Sequence, residues 1–301
     1  MYKLFWCIIT LIPYNILLLL FKELFKFTSL NLIIMIIDAI NWNVNPEIFR
    51  IGNFAVRWYG LLFASGFLFG YLIFYKFFKK EGLTVEMLDK LTIYMALGVV
   101  IGARLGHCLF YEPDYYLKNP IEILKVWKGG LASHGAAIGV LLALYLFVRK
   151  HKKPYIWILD RIVVVVALGG ALIRLGNLMN SEIYGIETNL PWGFVFIRKH
   201  EVVPKHPTQI YEALTYFAVF GLLFWIYLKT KGKFRDGTLF GLFLILVFGM
   251  RILIEFIKED QVPFEEAMAL NMGQLLSIPF VLLGGLILYL YYRKEKIKYR
   301  S

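Results

Sequence analysis

Cysteine is scarce in this chain, and several motifs that mark common enzyme classes are absent. The two cysteines, Cys7 and Cys108, both lie in apolar surroundings, so we expect small hydrophobic residues rather than a disulfide framework or a metal cluster. The sequence contains no GxSxG, HExxH, Walker loop or CxxC, so serine hydrolase, zinc protease and nucleotide chemistry have no support. No set of His, Cys and carboxylate residues has metal-ligand spacing, and we therefore expect neither a metal nor a cofactor.

Charged residues are also sparse, and no stretch has the composition of a separate soluble domain. Only 18% of the residues are charged, whereas 59% are hydrophobic and the mean hydropathy is +0.64. Soluble domains are roughly 45–50% apolar, so the composition predicts a polytopic membrane protein with a single membrane domain. The net charge of +12 would indicate nucleic acid as the partner of a soluble protein. In a membrane protein it is explained by basic cytoplasmic loops and anionic lipids, and we expect no nucleic-acid partner.

Seven apolar segments, each of about 20 residues, predict seven transmembrane helices packed as an all-α bundle. They cover residues 56–78, 90–111, 131–148, 156–176, 208–228, 237–257 and 272–292. Basic clusters follow the first, third, fifth and seventh segments, whereas the intervening loops carry fewer cations, diluted by Asp and Glu. By the positive-inside rule, the first segment begins outside the cell and the C-terminus is cytoplasmic.

Residues 1–43 do not fit this pattern and are interpreted as an atypical N-terminal extension to a membrane domain at 44–301. The apolar stretch from Leu4 to Phe21 is interrupted by Pro13. It predicts either an extra anchor or a poor signal peptide without a small-residue cleavage site. A third interpretation is that translation begins at Met35 and that the preceding residues are a start-site artefact.

The stretch from Ala171 to Gly185, ALIRLGNLMNSEIYG, places polar side chains at the end of the fourth apolar segment. At 100° per residue, Arg174, Asn177 and Ser181 fall on one stripe, with Asn180 beside it. A guanidinium followed by amides on the same helix face is suited to a lipid phosphate, and charges next to membrane segments are costly. The alternative is an interfacial arginine that extends its head group to water.

Polar side chains of other segments are predicted at the same outer end of the bundle. They include Tyr59 in RWYG, His134 in GGLASHG, the HPTQIYE start of the fifth segment, and Arg251 with Glu255 in RILIE. A neutral His134 could accept a proton, or it could be a capping or packing residue. Arg251 and Glu255, spaced i and i+4, form either an architectural ion pair or a unit that directs Arg251 towards a phosphate or glycerol oxygen.

Two further features have interpretations that concern structure more than chemistry. Arg104 is predicted about midway along the second segment, where a charge requires a partner, and Asp160 is the candidate. His206 and Pro207 precede Thr208 in a pattern typical of a helix start.

The same segments resemble the prolipoprotein diacylglyceryl transferase family. The similar stretches are RWYGLLFASGF, GARLGHCLFYE, GGLASHGAAIG, RLGNLMNSEIYG, HPTQIYE, RILIEF and MGQLLSIP, in the family's order, from about Asn43 to Tyr292. Two positions depart from the family pattern, Ile173 for a usual glycine and Leu178 for a usual phenylalanine, and both leave the polar stripe intact. Residues 1–34 have no counterpart, which favours Met35 as the start.

The resemblance implies a seven-span enzyme of the bacterial plasma (inner) membrane with an outward-facing site. It implies transfer of the diacylglyceryl group of phosphatidylglycerol to the lipobox cysteine of a prolipoprotein signal peptide, with release of glycerol 1-phosphate. Arg174 would bind the head group, and the other sensitive positions would be Tyr59, His134, Asn177, Glu182, Gly185, Arg251 and Glu255.

The chemistry of the polar residues agrees with such a reaction. A phosphate leaving group needs cations, supplied by Arg174 with Arg251, and a thiol needs to lose its proton to His134 or Tyr59. We therefore predict catalytic roles for His134 and Tyr59, and substrate binding by Arg174, Asn177, Glu182, Arg251 and Glu255. The alternative is a lipid or anion transporter. Internal repeats and polar groups gathered at the midplane would favour a transporter, but we find no convincing repeat, and the polar groups gather at one face of the bundle instead.

Overall fold

Seven long apolar helices make up most of the part of the chain that the structure describes. The computed structural model describes residues 39–52, 54–259 and 268–298. The long helices are α1 (Trp58–Lys80), α2 (Val85–Phe110), α3 (Ser133–Lys150), α4 (Tyr155–Met179), α5 (Thr208–Thr230), α6 (Thr238–Glu255) and α7 (Met272–Lys298). Each is long and apolar enough to cross a membrane. The predicted all-α, seven-span membrane bundle is therefore confirmed, with helix ends that differ from the prediction by a few residues.

The central helix of the bundle is α4, which packs against α1 on one side and α5 on the other. Its side chains from Ile158 to Val164 are all buried, including two charged ones, Asp160 and Arg161. Aromatic and aliphatic residues from the neighbouring helices complete the core: Phe77, Phe147, Leu223, Tyr227 and Leu239. A central α4 brings the polar residues at its C-terminal end into the middle of one face of the bundle.

Helices α2 and α3 touch backbone to backbone through glycines. A Cβ atom on Gly102 would lie 2.4 Å from the carbonyl oxygen of Gly135, and one on Gly139 would lie 2.1 Å from that of Gly98. Small residues at membrane helix interfaces allow this close approach because no side chain separates the two backbones. The glycines around His134 therefore serve helix packing.

Short extramembrane elements cover the end of the bundle where α4 finishes. The strands are β1 (Ile40–Trp42), β2 (Glu47–Ile51), β3 (Phe54–Arg57) and β4 (Phe194–Phe196); β1 pairs with β4 in parallel, and β2 pairs with β3 in antiparallel fashion. Two short helices, Pro113–Lys118 and Pro120–Ile123, follow α2.

Most of the predicted N-terminal extension, including Cys7 and Met35, lies outside the described residues. Its last residues, however, are part of the fold, because β1 pairs with β4 and the Trp42 indole donates a hydrogen bond to the Leu178 carbonyl (3.0 Å). The other cysteine, Cys108, is fully buried in α2, in agreement with its interpretation as a small hydrophobic residue.

The predicted pairing of Arg104 with Asp160 is wrong. Arg104 lies near the C-terminal end of α2 rather than midway along it, so its guanidinium reaches the following loop. There it donates to the carbonyls of Glu122 (2.6 Å), Ile123 (2.9 Å), Gly129 (2.6 Å) and Gly130 (3.2 Å).

Asp160 lies near the N-terminal end of α4, at the opposite end of the bundle from Arg104. Its carboxylate accepts hydrogen bonds from the backbone N–H groups of Gly237 (2.7 Å) and Phe240 (2.9 Å). It thereby caps α6, whose preceding residue Gly237 has a φ of +78° that favours glycine. Both charges are satisfied locally, so neither requires the other.

Candidate functional site

Five charged side chains from α4, α5, α6 and the segment that follows α6 form one continuous ion-pair chain at the C-terminal end of α4. Its members, in order, are Arg174, Glu212, Lys258, Glu255 and Arg251. The successive nitrogen–oxygen distances are 2.9 Å, 3.3 Å, 3.1 Å and 3.3 Å. The structure thus brings Arg174 together with Arg251 and Glu255, as predicted from their common position at one end of the bundle.

The ion-pair chain is buried except at one end. The side chains of Glu212, Lys258 and Glu255 are 3–5% exposed, that of Arg174 is 15% exposed, and that of Arg251 is 33% exposed. Within the described part of the chain, Arg251 bonds only Glu255, through Nε, so its two terminal nitrogens are open to a ligand. Because three cations face two carboxylates, the ion-pair chain carries one net positive charge in a poorly solvated place.

Arg174 also begins a line of amides. Its Nη1 donates to Asn177 Oδ1 (3.2 Å), and Asn177 Nδ2 donates to Glu182 Oε1 (2.8 Å), which also accepts from Asn180 Nδ2 (3.3 Å). The predicted stripe of Arg174 and Asn177 is therefore a hydrogen-bonded unit that includes Glu182. The prediction that Ser181 lies on the same stripe is wrong, because α4 ends at Met179 and Ser181 follows in a left-handed conformation; its side chain is fully buried, and its hydroxyl bonds none of the residues that the structure describes.

The contact between Arg174 and Glu212 is short but poorly directed. Although the Arg174 Nε lies 2.9 Å from Glu212 Oε2, its N–H does not point at that oxygen, and Oε2 receives no hydrogen bond from the described residues. Charge therefore holds the pair more than hydrogen-bond geometry does. The guanidinium also donates to Asn177 and contacts the Tyr216 hydroxyl, and its remaining N–H groups are suited to an anionic ligand.

The turn that carries Glu182 is strained and is held from outside. Ser181 and Ile183, on either side of Glu182, have φ values of +53° and +62°. A left-handed conformation costs roughly 1–2 kcal/mol per non-glycine residue. Two side chains of the first turn of α5 hold the turn: Gln209 donates to the Glu182 carbonyl (2.8 Å), and Thr208 donates to the Ile183 carbonyl (3.0 Å). Strain that the surrounding structure maintains is typical of functional sites.

Gly185 and Gly273 are sites of close approach around the ion-pair chain. A Cβ atom on Gly185 would lie 2.2 Å from the Ile257 carbonyl oxygen, and one on Gly273 would lie 2.5 Å from the Glu255 carboxylate carbon. Gly185 also pairs with Lys258 in an antiparallel bridge. The backbone φ of Gly185 is not in the left-handed region, so glycine is required there for space rather than for conformation.

Tyr59, at the start of α1, packs on the same end of α4. A Cβ atom on Gly176 would lie 2.8 Å from its ring, and the charges of Glu182 and Arg174 act on its hydroxyl. The structure therefore places Tyr59 beside the Arg174 and Asn177 unit.

His134 has a different environment from the other predicted site residues. It is exposed at the start of α3, where its ring contacts Phe110 and Tyr111 with centroid separations of 5.6 Å and 5.7 Å. It makes no ion pair or hydrogen bond with the described residues, and its ring contacts are with these two aromatic residues rather than with the ion-pair chain. A catalytic role for His134 therefore stays a prediction.

A second set of ion pairs, around Lys205, connects the loop between α4 and α5 to the segment after α6. Lys205 Nζ lies 2.7 Å from Glu259, 3.6 Å from Glu201 and 3.8 Å from Glu187. Burial alone would lower the pKa of Lys205, but the hydrogen bond to Glu259 and the charges of all three carboxylates raise it above its ordinary value. The pKa of His206, next to it, is lowered by burial. His206 accepts the Gly185 N–H at its carbonyl (2.8 Å), and α5 begins at Thr208, so the predicted helix start is confirmed.

An apolar cavity of about 280 Å³ lies between α1, α2 and α4. Its lining includes Phe67, Gly70 and Val165, and it reaches Ile173, the residue before Arg174. An apolar cavity of this kind is suited to the hydrocarbon part of a lipid.

Glu212 and Lys258 are the members of the ion-pair chain that sequence patterns do not single out. Glu212 is the last residue of the HPTQIYE stretch, and Lys258 follows Glu255 by three residues. The i, i+3 spacing of Glu255 and Lys258 was the available signal, but a lysine at a membrane helix end is usually an interfacial residue.

Comparisons with known proteins agree with this arrangement. The family model described as prolipoprotein diacylglyceryl transferase matches residues 46–291. Three similar proteins, each named phosphatidylglycerol–prolipoprotein diacylglyceryl transferase, come from Tolumonas auensis, Chloroherpeton thalassium and Porphyromonas gingivalis. The Tolumonas protein is 51% identical over 85% of this chain and 99% of its own length. The Chloroherpeton protein is 46% identical over 82% and 92%, and the Porphyromonas protein is 48% identical over 81% and 92%. This chain therefore belongs to the prolipoprotein diacylglyceryl transferase family.

Proposed function

We propose that this protein transfers the diacylglyceryl group of phosphatidylglycerol to the cysteine thiol of a prolipoprotein, the first step of lipoprotein maturation. The thiol belongs to the lipobox of a signal peptide, and the products are a thioether-linked lipid and glycerol 1-phosphate. The names of the similar proteins support this activity. The structural observation that carries it is the ion-pair chain with its net positive charge, at the end of a helix whose Ile173 also lines an apolar cavity.

The bond changes define what the site has to do. The cysteine sulfur forms a bond to a glycerol carbon, and the bond from that carbon to a phosphate oxygen breaks, so the leaving phosphate changes from one negative charge to two. Donors directed at growing charge stabilise a transition state more than a ground state. Arg174, positioned by Asn177, and the open end of Arg251 are the proposed donors.

The thiol also has to lose its proton. A free thiol has a pKa near 8.5, and the positive charge of the site would favour the thiolate. His134 is the proposed proton acceptor, and Tyr59, whose neutral phenol can donate but cannot take a proton from a thiol, is proposed as a hydrogen-bond donor to the substrates. The position of Tyr59 beside Arg174 and Asn177 supports its role, whereas the role of His134 is supported by the family resemblance and by the ability of an imidazole to act as a general base.

We further propose that the site faces outward from the bacterial plasma membrane and that the C-terminus is cytoplasmic. The distribution of basic clusters supports this orientation, since Lys79, Lys80, Arg149 and Lys150 end α1 and α3 at the face opposite to Arg174.

The activity is tested with purified full-length protein, phosphatidylglycerol in mixed detergent micelles, and a peptide with a lipobox cysteine. The peptide should gain the mass of one diacylglyceryl group, and a matched peptide with the cysteine replaced by serine should gain none. An intact protein that binds the lipid but transfers nothing would refute the proposal and favour a transporter.

A further inference from the structure

Lys258 is the enclosed centre of the ion-pair chain. Its side chain is 3% exposed, and its ammonium lies between Glu212 and Glu255, at 3.3 Å and 3.1 Å. Each of these carboxylates also contacts one arginine of the site. Because its side chain is enclosed, Lys258 does not contact a ligand directly and acts through its charge and its two carboxylate partners.

The backbone around Lys258 is fixed from one side. Gly185 pairs with Lys258 in an antiparallel bridge, and the Ile186 N–H donates to the Ile257 carbonyl at 3.1 Å. The ammonium therefore starts from a defined backbone position, and the strained turn that carries Glu182 leads directly into this bridge.

The sharing of two carboxylates controls the charge of the site. With Lys258 present, each carboxylate divides its attraction between the lysine and an arginine. Without it, Glu212 and Glu255 would each neutralise one arginine, and the net charge of the ion-pair chain would fall from one positive to zero. In a poorly solvated place, this change acts strongly on a nearby phosphate.

We infer that Lys258 is a positioning residue of the transferase site. By sharing Glu212 and Glu255 with Arg174 and Arg251, it keeps the site positively charged, so the two arginines attract a phosphate more strongly than they would if each carboxylate neutralised one of them. This inference rests on the proposed function, which supplies the phosphate.

The test compares initial transfer rates at several phosphatidylglycerol concentrations for the wild type, Lys258→Met, Lys258→Arg and Lys205→Met. Lys205 is a matched control, because it is another enclosed lysine between carboxylates but contacts neither Glu212 nor Glu255. We expect Lys258→Met to lower kcat/KM by about 10- to 100-fold, by analogy with the loss of a group that orients a ligand of a metal site. Most of the loss of kcat/KM should come from a higher KM for phosphatidylglycerol, since the phosphate is already anionic before reaction.

Lys258→Arg should retain most of the activity, and Lys205→Met should have the kcat/KM of the wild type.

A double variant separates charge from a merely structural role. Lys258→Met combined with Glu212→Gln restores one net positive charge and should recover part of the lost kcat/KM. A purely structural lysine predicts an equal or larger loss in the double variant. Gel filtration shows whether Lys258→Met folds. If it does not, the double variant and Lys258→Arg test the inference, and both should be active. An inactive but folded Lys258→Arg would contradict the inference.

The remaining outcomes distinguish this inference from the proposed function. A wild-type protein without transfer refutes the proposed function itself. If the wild type transfers, two results refute only the role of Lys258. The first is a Lys258→Met variant with the kcat/KM of the wild type, and the second is a Lys205→Met variant that loses as much kcat/KM as Lys258→Met.

Discussion

Replacing Gly185 by alanine should disturb the site without changing a single charge. The new Cβ would lie 2.2 Å from the Ile257 carbonyl oxygen, 2.7 Å from Thr208 Cγ2 and 2.8 Å from His206 Cβ. A carbon and an oxygen normally stay more than 3 Å apart, so the backbone of Ile257 would have to move by roughly 1 Å. Overpacking of this kind costs about 1–3 kcal/mol. Because the Gly185 bridge fixes the backbone of Lys258, the displacement also reaches the ion-pair chain.

The assay for Gly185→Ala combines the melting temperature in detergent with the transfer rate of the folded protein. Gly221→Ala is the matched control, since a Cβ there meets nothing within 4 Å and alanine is favoured in a helix. We expect a lower Tm and a reduced transfer rate for Gly185→Ala, and neither for Gly221→Ala. A Gly185→Ala protein that melts and transfers like the control would refute the steric explanation and the coupling to Lys258.

Three further predictions concern charges away from the reacting groups. Arg104→Leu should release the loop at 112–130 before the bundle unfolds, because hydrogen bonds to charged groups contribute about 1.5–3 kcal/mol each. Limited proteolysis should cut that loop faster in the variant than in the wild type, and equal cleavage rates would contradict the role of Arg104. Asp160→Ala should lower the unfolding free energy by about 0.5–2 kcal/mol through loss of a helix cap, and an unchanged denaturation midpoint would contradict that role. The raised pKa of Lys205 means that its ion pairs stabilise the fold fully below its ordinary pKa of 10.5 and lose this effect as the pH rises through the raised value. The Tm difference between the wild type and Lys205→Met should therefore be present near pH 8 and vanish at strongly alkaline pH, whereas a constant difference would argue against it.

The sequence was sufficient to predict the helices and the stripe on α4. Long apolar segments have few structural alternatives in a membrane, where backbone groups must be satisfied within a helix, so seven spans followed from hydropathy alone. The stripe of Arg174 and Asn177 also followed from helix geometry, since both residues lie in one helix and their relative position needs no tertiary information.

Contacts between helices could not be predicted in the same way. Glu212 reaches Arg174 across 38 positions of sequence and Lys258 across 46, and no pattern within a single helix indicates such a meeting. The predicted pairing of Asp160 with Arg104 also depended on contacts outside a single helix. Backbone carbonyls of a loop bind Arg104, and backbone N–H groups at the start of α6 bind Asp160. His134 shares a motif with close-packed glycines, but the motif does not reveal which side chains its ring contacts.

The most direct test of the account is the turnover of Arg174→Ala in the peptide transfer assay. Arg161→Ala is the matched control, because Arg161 is also a buried arginine of α4 with a carboxylate partner, Glu81, but at the other end of the helix. If Arg174 stabilises the leaving phosphate, its removal should lower kcat by roughly 10²–10³-fold, as for loss of one oxyanion donor, while the folded fraction of Arg161→Ala turns over normally. An Arg174→Ala protein with near-normal turnover would contradict the account.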